Sequence, residues 1–295
     1  MVSGEAKLYS MTGYGTSEEE VDGCRIIAEI KALNSRYLEP KFRLPRGFEH
    51  MENILRKSLR EKVSRGKIDV WIYIKTDEKF ELESLMKYIK LYGDFLDRVK
   101  NELGLEFSPV LSDVLAMKNL VGSERVEYSD VIPEAKIVDV FEAALEAFEH
   151  SRLADGLQSR LEIENYVSRI YETIERMQKS IQDVINNYKD QLRSRIKELL
   201  GEGYDETRII MEAGIYAAKI DIDEELSRLG AHAGRLQSVL GSGSPCGKEL
   251  DFIVQEMMRE INTIGSKVQD SIISNEVIDT KVLIEKIKEQ VRNIE

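Results

Sequence analysis

A chain of 295 residues with 42% hydrophobic content can bury a sizeable core and build about two domains, which excludes a disordered polymer. Aromatics at 7% and 5 prolines, against 33% charged residues, disfavour a compact all-β fold and favour long solvated helices. The net charge of -12 argues against a protein that coats nucleic acid indiscriminately, and no apolar run is long enough to span a membrane.

The opening Met1-Val2-Ser3-Gly4-Glu5-Ala6-Lys7 lacks the basic and then apolar pattern of an export signal. Residues 7 to 18 alternate apolar and small polar side chains and meet Val21-Asp22-Gly23, which predicts strand, turn, strand. The glycines of Gly13-x-Gly15 are expected to serve turn geometry. Strand character continues over 25 to 33 and 37 to 44, with Leu38, Phe42 and Leu44 on one side and Lys41 and Arg43 on the other. Phe48, Met51, Ile54, Leu55, Leu59 and Val63 then fall at helical spacing, and Ile68 to Ile74 reads as another strand. From Arg25 to Lys67 there are 12 Lys/Arg against 5 Asp/Glu, a local charge of +7 that leaves -19 for the remainder. Such a segment attracts a polyanion locally, or is simply a solvated face.

Helix is expected over about 81 to 101, and Pro109 opens a short helix that ends before Gly122-Ser123. After Pro133 an apolar stripe runs through Val138, Phe141, Leu145 and Phe148 and repeats every three or four residues from Leu153 to Leu199. That is one very long helix or two in line, and it must pack on another helix of the same chain or of a neighbouring subunit. Helices are also expected near 205–219, 221–240, 248–270 and 274–295. The fold class is therefore α+β. A small N-terminal α+β domain (1–125) is followed by a long helical spacer and oligomerisation segment (126–203) and a helical C-terminal domain (204–295).

Cys24 and Cys246 lie far apart, outside any Cys-x-x-Cys pattern, which points away from a zinc knuckle and toward a reduced, cytoplasmic setting. Phosphate-binding loops, dinucleotide fingerprints and His-Glu-x-x-His are absent from the sequence. Chemistry is left to the C-terminal helices. On the first, Glu225 and His232 stand two turns apart, about 10 Å along the axis, so one ion reaches both only with help from elsewhere. On the second, Glu256, Glu260 and Lys267 are expected along one flank, and Asp251, Gln255, Arg259, Asn262 and Ser266 along the other. Carboxylates at i and i+4 can share a hard cation such as Mg²⁺ or Mn²⁺. They can equally be salt-bridge partners, Glu256 with Arg259 and Glu260 with Lys267.

The run Gly247-Lys248-Glu249-Leu250-Asp251-Phe252-Ile253-Val254-Gln255-Glu256-Met257-Met258-Arg259-Glu260-Ile261-Asn262-Thr263-Ile264-Gly265-Ser266-Lys267 resembles the signature of YicC/YloC proteins. So do Asp221-Ile222-Asp223-Glu224-Glu225-Leu226-Ser227-Arg228-Leu229 with His232, and Ser10-Met11-Thr12-Gly13-Tyr14-Gly15. Leu33-Asn34-Ser35-Arg36-Tyr37-Leu38, Arg43-Leu44-Pro45, Ser64-Arg65-Gly66-Lys67 and the closing Glu289 to Glu295 agree with them. The resemblance implies a metal-dependent endoribonuclease preferring single-stranded RNA, a ring-like homo-oligomer, expected as a hexamer, and a role in small-RNA turnover. The chain departs from it at Asp155-Gly156, where relatives often carry Glu-Gly, and at Gly230-Ala231 before His232.

The residues then take these expected roles. Glu225, Glu256 and Glu260 hold a divalent cation (Mn²⁺ or Mg²⁺) or position water, and His232 shuttles a proton. Arg259 or Lys267 neutralises charge on the phosphorane. Arg36, Lys41, Arg43, Arg65 and Lys67 contact phosphates, with Gln255 and Asn262 as further RNA contacts. Two other readings stay open. One is an oligomeric RNA-binding adaptor that cuts nothing, and the other a helical scaffold whose polar rows are only ion pairs.

Overall fold

A computed structural model describes residues 7–35, 37–76, 78–104, 128–201 and 205–295. Arg36 and the expected short helix after Pro109 lie outside them. The chain divides into two compact units, one of residues 11–152 and one joining residues 7–10 to 153–295. The division falls inside a helix, at Arg152/Leu153. A continuous apolar period does not reveal where the core that it faces changes.

The 11–152 unit is α+β. Strands β1 (Gly13–Val21), β2 (Cys24–Leu33), β3 (Leu38–Arg43) and β4 (Gly66–Thr76) form a sheet of order β1-β2-β4-β3. β1 and β2 make a hairpin whose Asp22 and Gly23 both have positive φ, 47° and 76°, matching the tight turn that an Asp-Gly pair favours. β3 runs parallel to β4, and helix α1 (Glu52–Lys62) makes the crossover. The inner sheet face, with Ile26, Ile30, Ile68, Val70 and Ile72, packs with Phe48, Leu55 and Leu59. The first part of helix α3 (Glu134–Leu200) completes this core with Ile137, Phe141, Leu145 and Phe148. Helix α2 (Glu78–Leu103) follows β4.

Two expectations for the first strand are corrected. β1 starts at Gly13, not near Lys7, because Ser10 instead bridges Ile294. Gly13 and Gly15 are strand residues, not turn residues. A Cβ at Gly15 would lie 2.3 Å from the Ala144 carbonyl oxygen and 2.4 Å from the Phe148 nitrogen, so the close approach of β1 to α3 requires glycine there.

The other unit is helical. From Leu153 onward α3 packs with α4 (Glu206–Lys219), α5 (Asp223–Ser242), α6 (Gly247–Lys267) and α7 (Ser271–Val291). The long stripe is covered here by the same chain: Ile163, Val167, Ile170, Ile174, Met177 and Val184 are all buried beside Leu229, Leu236, Met257 and Ile284. Of the two partners open to so long a stripe, this stretch takes the same chain, because α5–α7 return along it. Leu157 and Leu161, in contrast, are 52% and 54% exposed. Polar contacts pin α7 to α3: Arg176 donates twice to Glu276, at 2.9 Å each, and Gln290 donates to Glu162 at 2.6 Å. Tyr188 and Tyr216 stack with centroids 3.8 Å apart. Both cysteines are buried, and they form no disulfide with each other. Among the described residues no helix is long and apolar enough to cross a membrane.

Candidate functional site

Helices α5 and α6 are joined by the short link Gly243–Cys246, where Gly243 has φ 81°, a conformation that glycine adopts without strain. Their buried stripes, Leu226-Leu229-Ala233-Leu236-Leu240 and Leu250-Ile253-Val254-Met257-Ile261-Ile264, face the helical core. Two ion pairs fix the antiparallel direction. Lys267 reaches Glu225 at 2.8 Å, and Arg235 reaches Glu249 at 2.8 Å. With both helices rising about 1.5 Å per residue, this direction brings His232 to about the height of Glu256.

The expected catalytic residues separate into two groups. Glu225 and Lys267 meet each other: the Lys267 ammonium donates to Glu225 Oε2 at 2.8 Å and to the Asp221 carbonyl at 2.9 Å. Glu225 is 8% exposed, so its charge is matched where water is scarce. Glu256 is half-buried and lies 3.5 Å from the exposed Arg259. Gln255 donates to Asp251 at 2.8 Å, Asn262 is exposed, and His232 is half-buried.

Glu260 departs from its expected place. It sits in the inward stripe rather than on the flank with Glu256, at 6% exposure, because 253, 257, 260 and 264 step by four, three and four around the helix. Among the described residues no hydrogen bond or ion pair reaches its carboxylate. No fully buried side-chain oxygen among those residues lacks a partner. Both Glu260 oxygens therefore touch the surface, and a buried stem presents an uncompensated carboxylate at the edge of the core.

Among the described residues no group of three or more His, Cys, Asp and Glu is placed to hold a metal ion. Glu225, Glu256 and Glu260 thus form no closed cage. A Mg²⁺-like ion, however, keeps several waters and is commonly held by one or two carboxylates together with substrate phosphates. Glu256 and Glu260 stand one turn apart on α6, with the stem of Glu260 turned into the core. A basin of about 510 Å³ on α7, lined by residues including Lys281, Glu285 and Arg292, contains none of the expected site residues.

The N-terminal cations gather on one sheet face. Lys41 and Arg43 are exposed on β3, and Lys67 lies opposite Glu39 at the start of β4. Arg65, in the loop before β4, is half-buried and has a partner of its own. Sequence reasoning passed over the rings beside these charges. Arg43 pairs across strands with Trp71, its guanidinium 5.6 Å from the ring centroid, and Tyr73 stands two residues further along the same face. The period-two alternation of Ile68 to Ile74 already put Trp71 and Tyr73 in phase with Lys67.

Two family models cover most of the chain: an endoribonuclease YicC-like N-terminal region matches residues 8–162, and an endoribonuclease YicC-like C-terminal domain matches 177–295. The chain is 32% identical over 292 residues to a protein of Clostridioides difficile named "Probable endoribonuclease YicC", covering 97% of this chain and 99% of that one. It is 30% identical over 290 residues to a Haemophilus influenzae protein of the same name, covering 98% of this chain and 100% of that one. With the two models matched in order and both relatives aligned over nearly the whole chain, the chain belongs to the YicC-like endoribonuclease family.

Proposed function

We propose that this chain is an endoribonuclease that cuts single-stranded RNA in the cytoplasm with the help of a divalent cation and serves small-RNA turnover. The end-to-end likeness to two proteins named as probable endoribonucleases carries this reading. The partnerless, almost buried carboxylate of Glu260 supports α6 as the place of the chemistry.

In this reading Glu260 and Glu256 hold a hydrated Mn²⁺ or Mg²⁺, which supplies charge neutralisation and a water of lowered pKa when bound. Hydrolysis joins a water oxygen to phosphorus and breaks one bridging P–O bond. The carboxylates orient the water and take its proton, while His232 is the group at the right height to return a proton to the leaving oxygen. Arg259, exposed beside Glu256, offsets charge growing on the phosphate. Glu225 and Lys267 act through position, bracing the two helices. Lys41, Arg43, Arg65 and Lys67 hold the RNA backbone, and Gln255 and Asn262 are available on the exposed flank of α6. A homo-oligomer also belongs to the proposal, supported by the exposed apolar pairs Leu157/Leu161 and Ile278/Val282, each one helical turn apart.

Labelled single-stranded RNA, incubated with the protein with and without EDTA, tests this. Internal cuts that vanish with EDTA and return with Mn²⁺ are the expected result. Binding without cleavage would make the protein an adaptor. Neither binding nor cleavage would leave a scaffold.

A further inference from the structure

We propose that the outer face of the β1–β4 sheet is a stacking platform for the bases of single-stranded RNA, with Trp71 and Tyr73 as its central rings and Tyr14 toward its edge. The proposal rests on the RNA-cleaving reading above and adds the part of the chain that would grip the substrate's bases.

The strand register carries the argument. Across the outer face, one row reads Tyr14, Lys31, Asp69, Lys41, and the next reads Thr16, Glu29, Trp71, Arg43. The row after that holds Glu18, Ile27 and Tyr73. The opposite face is taken up by the core; on this one Ile27 is buried, at 7% exposure, beside Tyr73, while Tyr14, Lys31, Lys41 and Arg43 are exposed. A solvated sheet face is ordinarily polar throughout. Here it holds the chain's single tryptophan. Tyr14 is 49% exposed, and Trp71 and Tyr73 are half-buried.

The rings are held in place by their neighbours. The Tyr73 hydroxyl donates to Glu29 at 2.7 Å, and that acceptor keeps the phenol protonated by pushing its pKa up. The Lys75 ammonium lies 5.6 Å from the Tyr73 centroid, as the Arg43 guanidinium does from that of Trp71. Rings and guanidinium planes are the surfaces on which unpaired bases stack, and the cations beside them suit the phosphates between those bases. Charge is also distributed across the face. Lys41, Arg43, Lys67 and Lys75 outnumber Glu39 and Asp69 on the β3–β4 side around the rings, whereas Glu18 and Glu20 lie on β1. Residues two apart on a strand are about 6.7 Å apart, so Trp71 and Tyr73 can each receive one of two splayed bases. A duplex hides its base faces, and the platform would therefore select single strands.

Because Trp71 is the only tryptophan, its emission reports the platform directly. The protein is mixed with a single-stranded oligouridylate of about 12 nucleotides, or with a duplex of equal length, and read before turnover. The expected result is saturable quenching by the single strand and little by the duplex. Trp71→Ala and Tyr14→Ala should each weaken binding by roughly 5- to 150-fold, with Trp71→Phe recovering most of the loss. If a variant fails to fold by circular dichroism, quenching of the unaltered protein decides. Oligouridylate binding seen by anisotropy, with unchanged Trp71 emission and normal binding by Tyr14→Ala, overturns the platform while leaving the RNA reading in place. Neither binding nor cleavage by the unaltered protein overturns the RNA reading and the platform with it.

Discussion

Lys267, at the end of α6, donates to Glu225, in the first turn of α5, at 2.8 Å, and the same ammonium takes the Asp221 carbonyl at 2.9 Å. One cation thus ties down both a helix start and the residue leading into it. Removing one partner leaves the other charge half-buried, so Glu225→Gln or Lys267→Met should lower unfolding free energy by about 1–3 kcal/mol, the partial exposure of Lys267 reducing the effect. Urea titration measures this. Cleavage per folded molecule should stay within about twofold, and a loss far beyond that with unchanged stability would return the pair to the chemistry.

Glu260→Gln is expected to behave in the opposite way. Its carboxylate has no protein partner among the described residues, so neutralising it should leave the melting temperature unchanged or raise it. RNA cleavage should fall by roughly 100-fold or more, with partial recovery in excess Mn²⁺. Glu256→Gln should share the loss of activity. Full cleavage by the double variant would remove both residues from the site.

Lys41→Ala with Arg43→Ala removes two exposed cations of one strand. For single-stranded RNA the logarithmic salt slope should fall by about 1.4, two phosphate contacts at about 0.7 each. Titrations from low to moderate salt check it, and an unchanged slope places the RNA backbone elsewhere.

Two glycine substitutions should have opposite signs. Gly15→Ala drives a methyl into the α3 backbone and should cost about 1–3 kcal/mol. At Gly214, inside α4, nothing lies within 4 Å of the added Cβ, and alanine there should stabilise by about 0.5–1 kcal/mol through helix propensity. Denaturant midpoints for the two variants decide the matter.

Alkaline pH should loosen the Tyr188–Tyr216 stack. Burial first, then the Asp270 carboxylate and the Tyr188 phenol, push the Tyr216 phenol up from its ordinary 10.0. The unfolded chain therefore releases this proton before the folded one does. The stability it contributes is present below about pH 10 and is lost as pH rises through the raised folded value. Tyr216→Phe should flatten that alkaline decline in thermal melts followed by circular dichroism.

What could be read beforehand follows the range of the interaction concerned. Helix stripes and the Asp22-Gly23 turn are local patterns, and both α3 and the β1–β2 hairpin were legible from them. The requirement for glycine at 15 was not, because the colliding atoms belong to residues more than a hundred positions away. Gly156 is similar: its added Cβ would lie 2.1 Å from the Leu8 carbonyl oxygen, which gives that glycine, beside the departing Asp155, a packing reason that no motif states. In the candidate site, the alignment of polar residues on α6 was visible. Whether Lys267 would turn to Glu260 or to Glu225 depended on the placement of α5 beside it. Lys41 and Arg43 were correctly assigned to one face by alternation, while Trp71 joined them only once parallel pairing set β3 beside β4.

The bonds among Tyr9, Cys246 and Glu295 also bear on how the polypeptide folds as it is made. The Glu295 amide donates to the Tyr9 carbonyl at 2.9 Å, and its own carbonyl accepts from Cys246 at 2.9 Å. Every element of the sheet unit is on hand once Arg152 has left the ribosome, so that unit can fold during synthesis. The helical unit must hold its earliest segment open until Glu295 has been made, and contacts of such sequence separation form slowly. Refolding from denaturant should accordingly show two phases, and a truncation that removes Ile294 and Glu295 should disturb the slower one alone.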